Sequence, residues 1–356
     1  MTIVEAARGI TGGIDTHGEV HVAAALDDVG GLLGTESFDA TPEGYAALLS
    51  WLAGFGRVGT VGVEGTGSYG AGLARFLARS GVEVIEVDRH NRQARRRQGK
   101  SDPIDAVEAA RAALSGRAHG KAKSRDGSVE AIRVLVVAKR SARQARVKAL
   151  TQMRQLTFTA PDQLQCKIKG LPTPQFIAAA KGLRPTRSSD PVTAATKAAL
   201  SSLAHRIGEL DEEVDQLDAQ ITPLLQAHAP ALLAVYGVGI DTAATLLMTA
   251  GDNPERLQSE AAWAHLCGVS PLQASSGKVT RHRLNRGGDR QANRALWIIV
   301  ISRLASDPET QAYMERRVKE GRTKREVIRM LKRYVAREVY RQLPRGWIPG
   351  PWAWPT

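Results

Sequence analysis

Cysteine is nearly absent: Cys166 and Cys267 are the two in a chain of 356 residues, and neither has another nearby. That excludes a disulfide framework and a cysteine-rich zinc cluster, and it fits a reducing cytoplasm. The chain also lacks any apolar run of about 18 residues, the length a membrane-spanning helix needs. No basic segment followed by an apolar one opens the sequence, so neither export nor membrane insertion is expected. Acidic residues are in deficit, 36 against 49 lysines and arginines, for a net charge of +13. A surplus of that size points to a polyanionic partner, of which nucleic acid is the commonest. The length allows two or three domains with proper cores.

A few acids are placed with purpose. Lys100-Ser101-Asp102-Pro103-Ile104-Asp105-Ala106 reads as the opening of a helix, with Pro103 in the first turn and Ser101 or Asp102 as cap. Asp102 and Asp105 then share a helix face, about 5–6 Å apart at Cβ. That arrangement suits one hard cation, or two about 4 Å apart. Asp15 and Glu64 each close a predicted strand upstream. Alone, each acid has a bland reading: a turn-capping Asp15, a Glu64 paired with an arginine. Their co-occurrence favours a metal site.

The strands predicted at 10–16, 20–26 and 32–38 form an antiparallel meander, with turns at His17-Gly18 and at 27–31. A helix capped by Thr41, a strand at 59–64, a helix to about 79 and a strand at 82–87 follow. This order, followed by an acid-bearing helix, is that of a ribonuclease H/resolvase-like α/β fold. In that fold, acids on the first strand, the fourth strand and a late helix converge. Just before the acid pair, Arg92, Arg95, Arg96, Arg97 and Lys100 form a basic run suited to holding phosphates.

From 128 to 158 the chain is nearly unbroken helix former, with Val134, Val137, Ala138, Val147 and Leu150 as the expected seam. Prolines break the segment 160–190. A second long helix, 193–225, carries Leu200, Leu203, Ile207, Leu210, Val214, Leu217 and Ile221 at coiled-coil spacing. The two helices are expected to form an antiparallel arm. Beyond it, Tyr236-Gly237-Val238-Gly239 resembles a helix-hairpin-helix turn, in which Gly237 and Gly239 let backbone N–H groups reach a phosphate. A serine-containing loop, a basic stretch to Asp289 and helices at 290–305 and 309–343 complete the pattern. A Pro/Trp-rich tail with Trp347, Trp352 and Trp354 ends the chain. The expected division is an α/β domain at 1–120, a coiled-coil arm at 121–227, a mostly helical domain at 228–343 and the tail at 344–356.

These pieces together resemble the DEDD insertion-sequence transposases of the IS110 family and the related Piv-type DNA invertases. The matching stretches are Gly-Ile-Asp-Thr-His at Asp15, Val-Glu-Gly-Thr-Gly-Ser-Tyr at Glu64 and Lys-Ser-Asp-Pro-Ile-Asp-Ala at Asp102 and Asp105. Further on they are Tyr-Gly-Val-Gly-Ile-Asp-Thr-Ala, Pro-Leu-Gln-Ala-Ser-Ser-Gly-Lys and the stretch 284–296. The resemblance implies a recombinase that excises and inserts its element, guided by a bridge RNA that pairs with donor and target DNA. It implies Mg²⁺ or Mn²⁺ on Asp15, Glu64, Asp102 and Asp105, and a C-terminal serine as nucleophile. The family loop reads Ser-Ser-Gly-Gly-Lys or Ser-Gly-Lys, whereas this chain has a single glycine. Aligning on Ser-Gly-Lys selects Ser276, which is preferred; counting from the left selects Ser275. Arg286 carries over as a phosphate contact, and Lys278, Arg281 and Arg283 stand beside it.

A serine hydroxyl is a poor nucleophile at neutral pH and needs a base or a metal. No histidine is placed by motif to serve, so metal activation is expected. Recombining two duplexes implies self-association, as a dimer or a tetramer. Two other readings compete: a metal-dependent nuclease that uses water, and a nucleic-acid-binding protein without activity.

Overall fold

The first strand shows how the N-terminal region is built. Along Gly9–Thr16 (β1), Ile10 and Ile14 turn to one face of the sheet while Gly13 and Asp15 turn to the other, as the two-residue period of a strand requires. The computed structural model describes residues 9–87, 101–118, 120–185, 190–253, 257–273, 282–283, 285 and 287–344. After β1 come Val20–Leu26 (β2), Leu32–Asp39 (β3), helix Pro42–Ala53 (α1), Arg57–Glu64 (β4), helix Ala71–Arg79 (α2) and Glu83–Val87 (β5). Helix Asp102–Leu114 (α3) and the short strand Gly120–Lys121 (β6) follow.

The sheet order is β3-β2-β1-β4-β5-β6. Pairing is antiparallel through β3, β2 and β1, parallel from β1 to β4 to β5, and antiparallel again at β6. The mixed α/β sheet, with its meander and acid-bearing helix, agrees with the order expected from sequence. Apolar alternation explains its two covered faces. Ile14, Val61 and Val63 pack with Leu48, Leu52, Leu73 and Leu77 of α1 and α2. On the opposite face Val22 and Ala24 pack with Ala106 and Val107 of α3.

The rest of the described chain is mostly helical. Its helices are Ser128–Phe158 (α4), Asp162–Ile168 (α5), Thr173–Lys181 (α6), Pro191–His228 (α7), Pro230–Leu233 (α8) and Ile240–Ala250 (α9). Then come Glu260–Leu266 (α10), the hairpin strands Leu272–Gln273 (β7) and His282–Arg283 (β8), and helices Arg290–Ser306 (α11), Pro308–Lys319 (α12) and Lys324–Gln342 (α13). No described helix is long and apolar enough to cross a membrane. The chain forms two compact units, one of residues 1–129, 250–263 and 344–356, the other of 130–249 and 264–343.

Within the second unit α4 and α7 run antiparallel. Lys139 pairs with Asp218 and Arg146 with Asp211, so a step forward along one helix matches a step back along the other. The seam of α4 departs from expectation: Val134, Val137 and Val147 are exposed, and Ile132, Val136, Ala142, Ala149 and Met153 are buried instead. Lys139 also lies in that seam, 2% exposed, because Asp218 and Asp241 both accept from its Nζ. An apolar pattern read alone passes over a lysine whose charge is matched by acids from other helices.

Two further differences concern helix boundaries. The proline-broken segment forms α5 and α6, whose Leu164, Ile168 and Phe176 pack on Leu200, Ala204 and Ile207 of α7. The single helix expected at 309–343 is two. Gly321 takes φ of +86° after α12, and Thr323 with Glu326 forms a capping box that starts α13.

Candidate metal centre

The centre begins with a repeated local order, Gly13-Ile14-Asp15 on β1 and Gly62-Val63-Glu64 on β4. In each triplet the glycine and the acid face one side of the sheet and the apolar residue faces the other. Ile14 pairs with Val63 across the parallel strands, so Asp15 and Glu64 are side-by-side neighbours at their carboxyl ends. The glycines bring α3 onto that side. A methyl at Gly13 would stand 2.2 Å from Ala106 O and from Ala110 N, and one at Gly62 would stand 2.5 Å from Ala109 O. With no side chains between them, helix and strands touch backbone to backbone. The first turn of α3, carrying Asp102 and Asp105, therefore comes down beside Asp15 and Glu64.

Capping differs from expectation. Ser101 takes the N-cap position in extended conformation, but its hydroxyl makes no capping bond. Pro103 sits in the first turn, as expected. At the end of β4, Thr16 Oγ1 donates to Glu64 O at 2.8 Å and Gly65 turns the chain with φ of +68°. Thr66 in that turn donates to Glu86 Oε1 at 2.7 Å. These bonds pin the backbone under Glu64.

His17, the first residue beyond β1, completes the cluster. Its Nε2 lies 3.2 Å from Asp15 Oδ2 and 3.5 Å from Asp102 Oδ1. One ligand atom from each of Asp15, His17 and Asp102 lies within 4.8 Å of the others. An ion with ligand bonds of about 2.0–2.6 Å bridges such a span, and carboxylate oxygens with an imidazole nitrogen fit a divalent cation. Asp15 is 6% exposed and Asp105 3%. Burial holds the Asp15 carboxyl above its ordinary range; His17 opposes the shift, and the carboxylates of Glu64, Asp105 and Asp102 add to it. A buried carboxylate crowded by three others is relieved by a cation.

Of the predicted acids, Asp15 and Asp102 share this cluster, and Glu64 and Asp105 lie within electrostatic reach of Asp15. His17 was read as a turn residue; a ligand-type side chain two places after a strand-closing Asp was the available signal. Gly13 and Gly62 were passed over too, although each precedes its acid by the same interval. The basic residues Arg92, Arg95, Arg96, Arg97 and Lys100 lie outside the described residues, as do Ser275, Ser276, Lys278, Arg281 and Arg286.

In the helical unit, β7 and β8 pair as an antiparallel hairpin that places Arg283 opposite Leu272, and Arg283 is exposed. The connection between these strands is the stretch that contains both serines. Its flanks are tied together. Asp289 N donates to Leu266 O, and Asn293 Nδ2 donates to Cys267 O and Gly268 O. Lys332 Nζ holds Asn293 Oδ1 at 2.7 Å. Gly237 takes φ of +79°, as a helix–turn–helix turn requires, while the Gly239 N–H donates to Thr242 Oγ1 at 2.9 Å. That N–H is engaged within the chain.

A mixed α/β sheet region that gathers carboxylates at the ends of parallel strands, followed by a mostly helical region, defines the class of fold. A family model described as a transposase matches residues 12–159, and one described as the transposase IS116/IS110/IS902 family matches 229–315. The chain belongs to the IS110 family of transposases. It is 34% identical over 146 residues to an uncharacterized 43.6 kDa protein of insertion element IS110 from Streptomyces coelicolor, covering 40% of this chain and 36% of that one. It is 26% identical over 137 residues to an uncharacterized 42 kDa protein of element IS900 from Mycobacterium paratuberculosis, covering 38% and 34%. The matched stretch thus spans about a third of each relative's length.

Proposed function

We propose that this chain is the recombinase of an insertion sequence, with a ribonuclease H-like N-terminal domain that cuts DNA at the element ends and a helical domain that carries the joining serine. The observation that carries the reading is the convergence of Asp15, His17 and Asp102, with Glu64 and Asp105 in electrostatic reach, in a chain of a transposase family. Bound there, Mg²⁺ or Mn²⁺ supplies Lewis acidity to the scissile phosphate and lowers the pKa of an attacking hydroxyl. Asp15 and Glu64 hold their side of the site from the sheet, and Asp102 and Asp105 from the helix. Arg92, Arg95, Arg96, Arg97 and Lys100, with Lys278, Arg281, Arg283 and Arg286, hold DNA phosphates.

Ser276, with Ser275 as the alternative, attacks. Its Oγ–P bond forms as the P–O3′ bond breaks; the serine proton passes to water, and the departing 3′ oxygen takes a proton from water to become the 3′-hydroxyl. The resulting phosphoserine conserves the phosphodiester for rejoining, which a recombinase needs and a plain nuclease does not. An RNA that pairs with donor and target supplies sequence choice. Two duplexes require at least two copies of the chain.

The test is cleavage of element-end DNA with Mg²⁺ and the cognate RNA, resolved on a denaturing gel that retains protein–DNA adducts. The expected result is an adduct that Ser276→Ala abolishes and Ser275→Ala leaves in place. Free cleaved ends without an adduct, indifferent to both substitutions, would replace this reading with a water-using nuclease.

A further inference from the structure

We propose that His17 is a fifth protein ligand of the cation site, a nitrogen donor that gives the site a preference for Mn²⁺ over Mg²⁺. The inference rests on the proposed role of the acids as a cation site. It concerns a residue outside the four-acid set.

Backbone placement comes first. Asp15 and Thr16 point to opposite faces of β1, and Thr16 is committed to the end of β4 through its bond to Glu64 O. His17 follows at the point where the strand ends, and its imidazole returns to the Asp15 side, as its contacts with both Asp15 and Asp102 require. The turn is closed behind it. A methyl on Gly18 would meet the Tyr69 ring at 3.5 Å, so the Gly65–Gly70 loop packs against the same bend.

The distances fit shared coordination. In an octahedron with bonds of about 2.1 Å, adjacent donors lie about 3.0 Å apart. The His17 Nε2 stands 3.2 Å from one carboxylate oxygen and 3.5 Å from the other, close to such edges. It thus lies between an acid of the sheet and an acid of the helix, where an ion held by both would sit. The side chain is 43% exposed, so an ion can reach it from solvent without an opening motion.

The chemistry then fixes the preference. Mg²⁺ and Ca²⁺ take oxygen donors, and Mg²⁺ gives up water reluctantly. Imidazole is a softer donor than a carboxylate. Mn²⁺ stands lowest in the first-row order and also favours oxygen, yet as a transition ion it accepts a nitrogen more readily than Mg²⁺ does. Four carboxylates alone discriminate little between Mg²⁺ and Mn²⁺. A neutral nitrogen added to them gains Mn²⁺ affinity while adding little for Mg²⁺.

The experiment uses the full chain stripped of metal, as wild type, His17→Ala and Asp15→Asn, with folding of each verified by circular dichroism. Titration calorimetry gives the Mn²⁺ and Mg²⁺ affinities, and pulsed electron paramagnetic resonance of bound Mn²⁺ detects directly bonded nitrogen. Wild type is expected to show the nitrogen modulation. His17→Ala is expected to lose it and to lower the Mn²⁺-to-Mg²⁺ affinity ratio about tenfold, the scale lost when even an outer partner of a ligand is removed. Asp15→Asn weakens both ions. Bound Mn²⁺ without nitrogen modulation, and a ratio unchanged in His17→Ala, would overturn the ligand assignment and leave the acids as the site. Failure of wild type to bind either ion in a manner sensitive to Asp15→Asn would overturn both the acid site and its fifth ligand.

Discussion

Two histidines four residues apart meet opposite fates because the turn between β1 and β2 sets His21 across from Thr16, on the sheet face away from Asp15. His17 leaves β1 on the acid side, while His21 on β2 is fully buried and stacks on the Tyr45 ring, with centroids 5.7 Å apart and planes 9° from parallel. Burial pushes the His21 imidazole below its ordinary range, so the folded chain holds it neutral. The unfolded chain takes up a proton near the ordinary value of about 6.5, and the folded chain resists doing so. Stability is therefore intact above that value and declines as pH falls below it toward the depressed folded value. We expect the thermal midpoint of metal-free protein to drop between pH 7.5 and 5, with a shallower drop in His21→Phe. Equal slopes in the two proteins would remove His21 as the cause. At this scale Asp15 and Asp102 were picked out along the chain, and the structure brings them into one cluster. The contacts of His17 were not legible there, because they depend on where α3 sets Asp102 against the end of β1.

Among the elements, α3 decides whether the proposed cation site can form. It carries Asp102 and Asp105, and it reaches the sheet because Gly13 and Gly62 offer no side chain. In Gly13→Ala the new methyl would meet backbone atoms of α3 at 2.2 Å, and backbone cannot swing aside as a flexible side chain does. We expect a loss of at least about 1–3 kcal/mol in unfolding free energy, the usual scale of overpacking, together with weaker Mn²⁺ binding as the helix lifts. Gly59→Ala on β4 serves as the control, since nothing lies within 4 Å of a methyl there. Calorimetric titration alongside denaturant unfolding checks both effects; a Gly13→Ala protein with wild-type affinity would separate α3 docking from the site. Elsewhere the long helices were legible from helix formers and period. The seam of α4 was not, because Lys139 is buried through acids contributed by α7 and α9, far away in sequence.

For the whole molecule, the charge of +13 sets the behaviour toward polyanions. Lysines and arginines that neutralise phosphates release counterions, so the logarithm of affinity falls linearly with the logarithm of salt. A surface contacting about six to ten phosphates loses roughly 10³–10⁵ in affinity between 50 and 200 mM salt. We expect duplex DNA of arbitrary sequence to bind this chain with such a dependence, measured by fluorescence anisotropy across that range. A flat response would detach the basic surplus from nucleic-acid binding. Not every cation is available for the purpose: Lys139, Arg143 and Arg146 are engaged with Asp218, Asp241 and Asp211.

The mixed α/β order of the first region, its three-stranded meander and the long helices could be read along the chain. Backbone preference and the two- and 3.6-residue periods act over a few neighbours, and those neighbours are written consecutively. Which side chains meet at one point was decided by packing. The register that sets Ile14 against Val63, the bare glycines that admit α3 and the acids that close on Lys139 join residues from distant parts of the chain. Such meetings depend on how whole faces fit together, so His17 gained its partners only once β1, β4 and α3 were assembled.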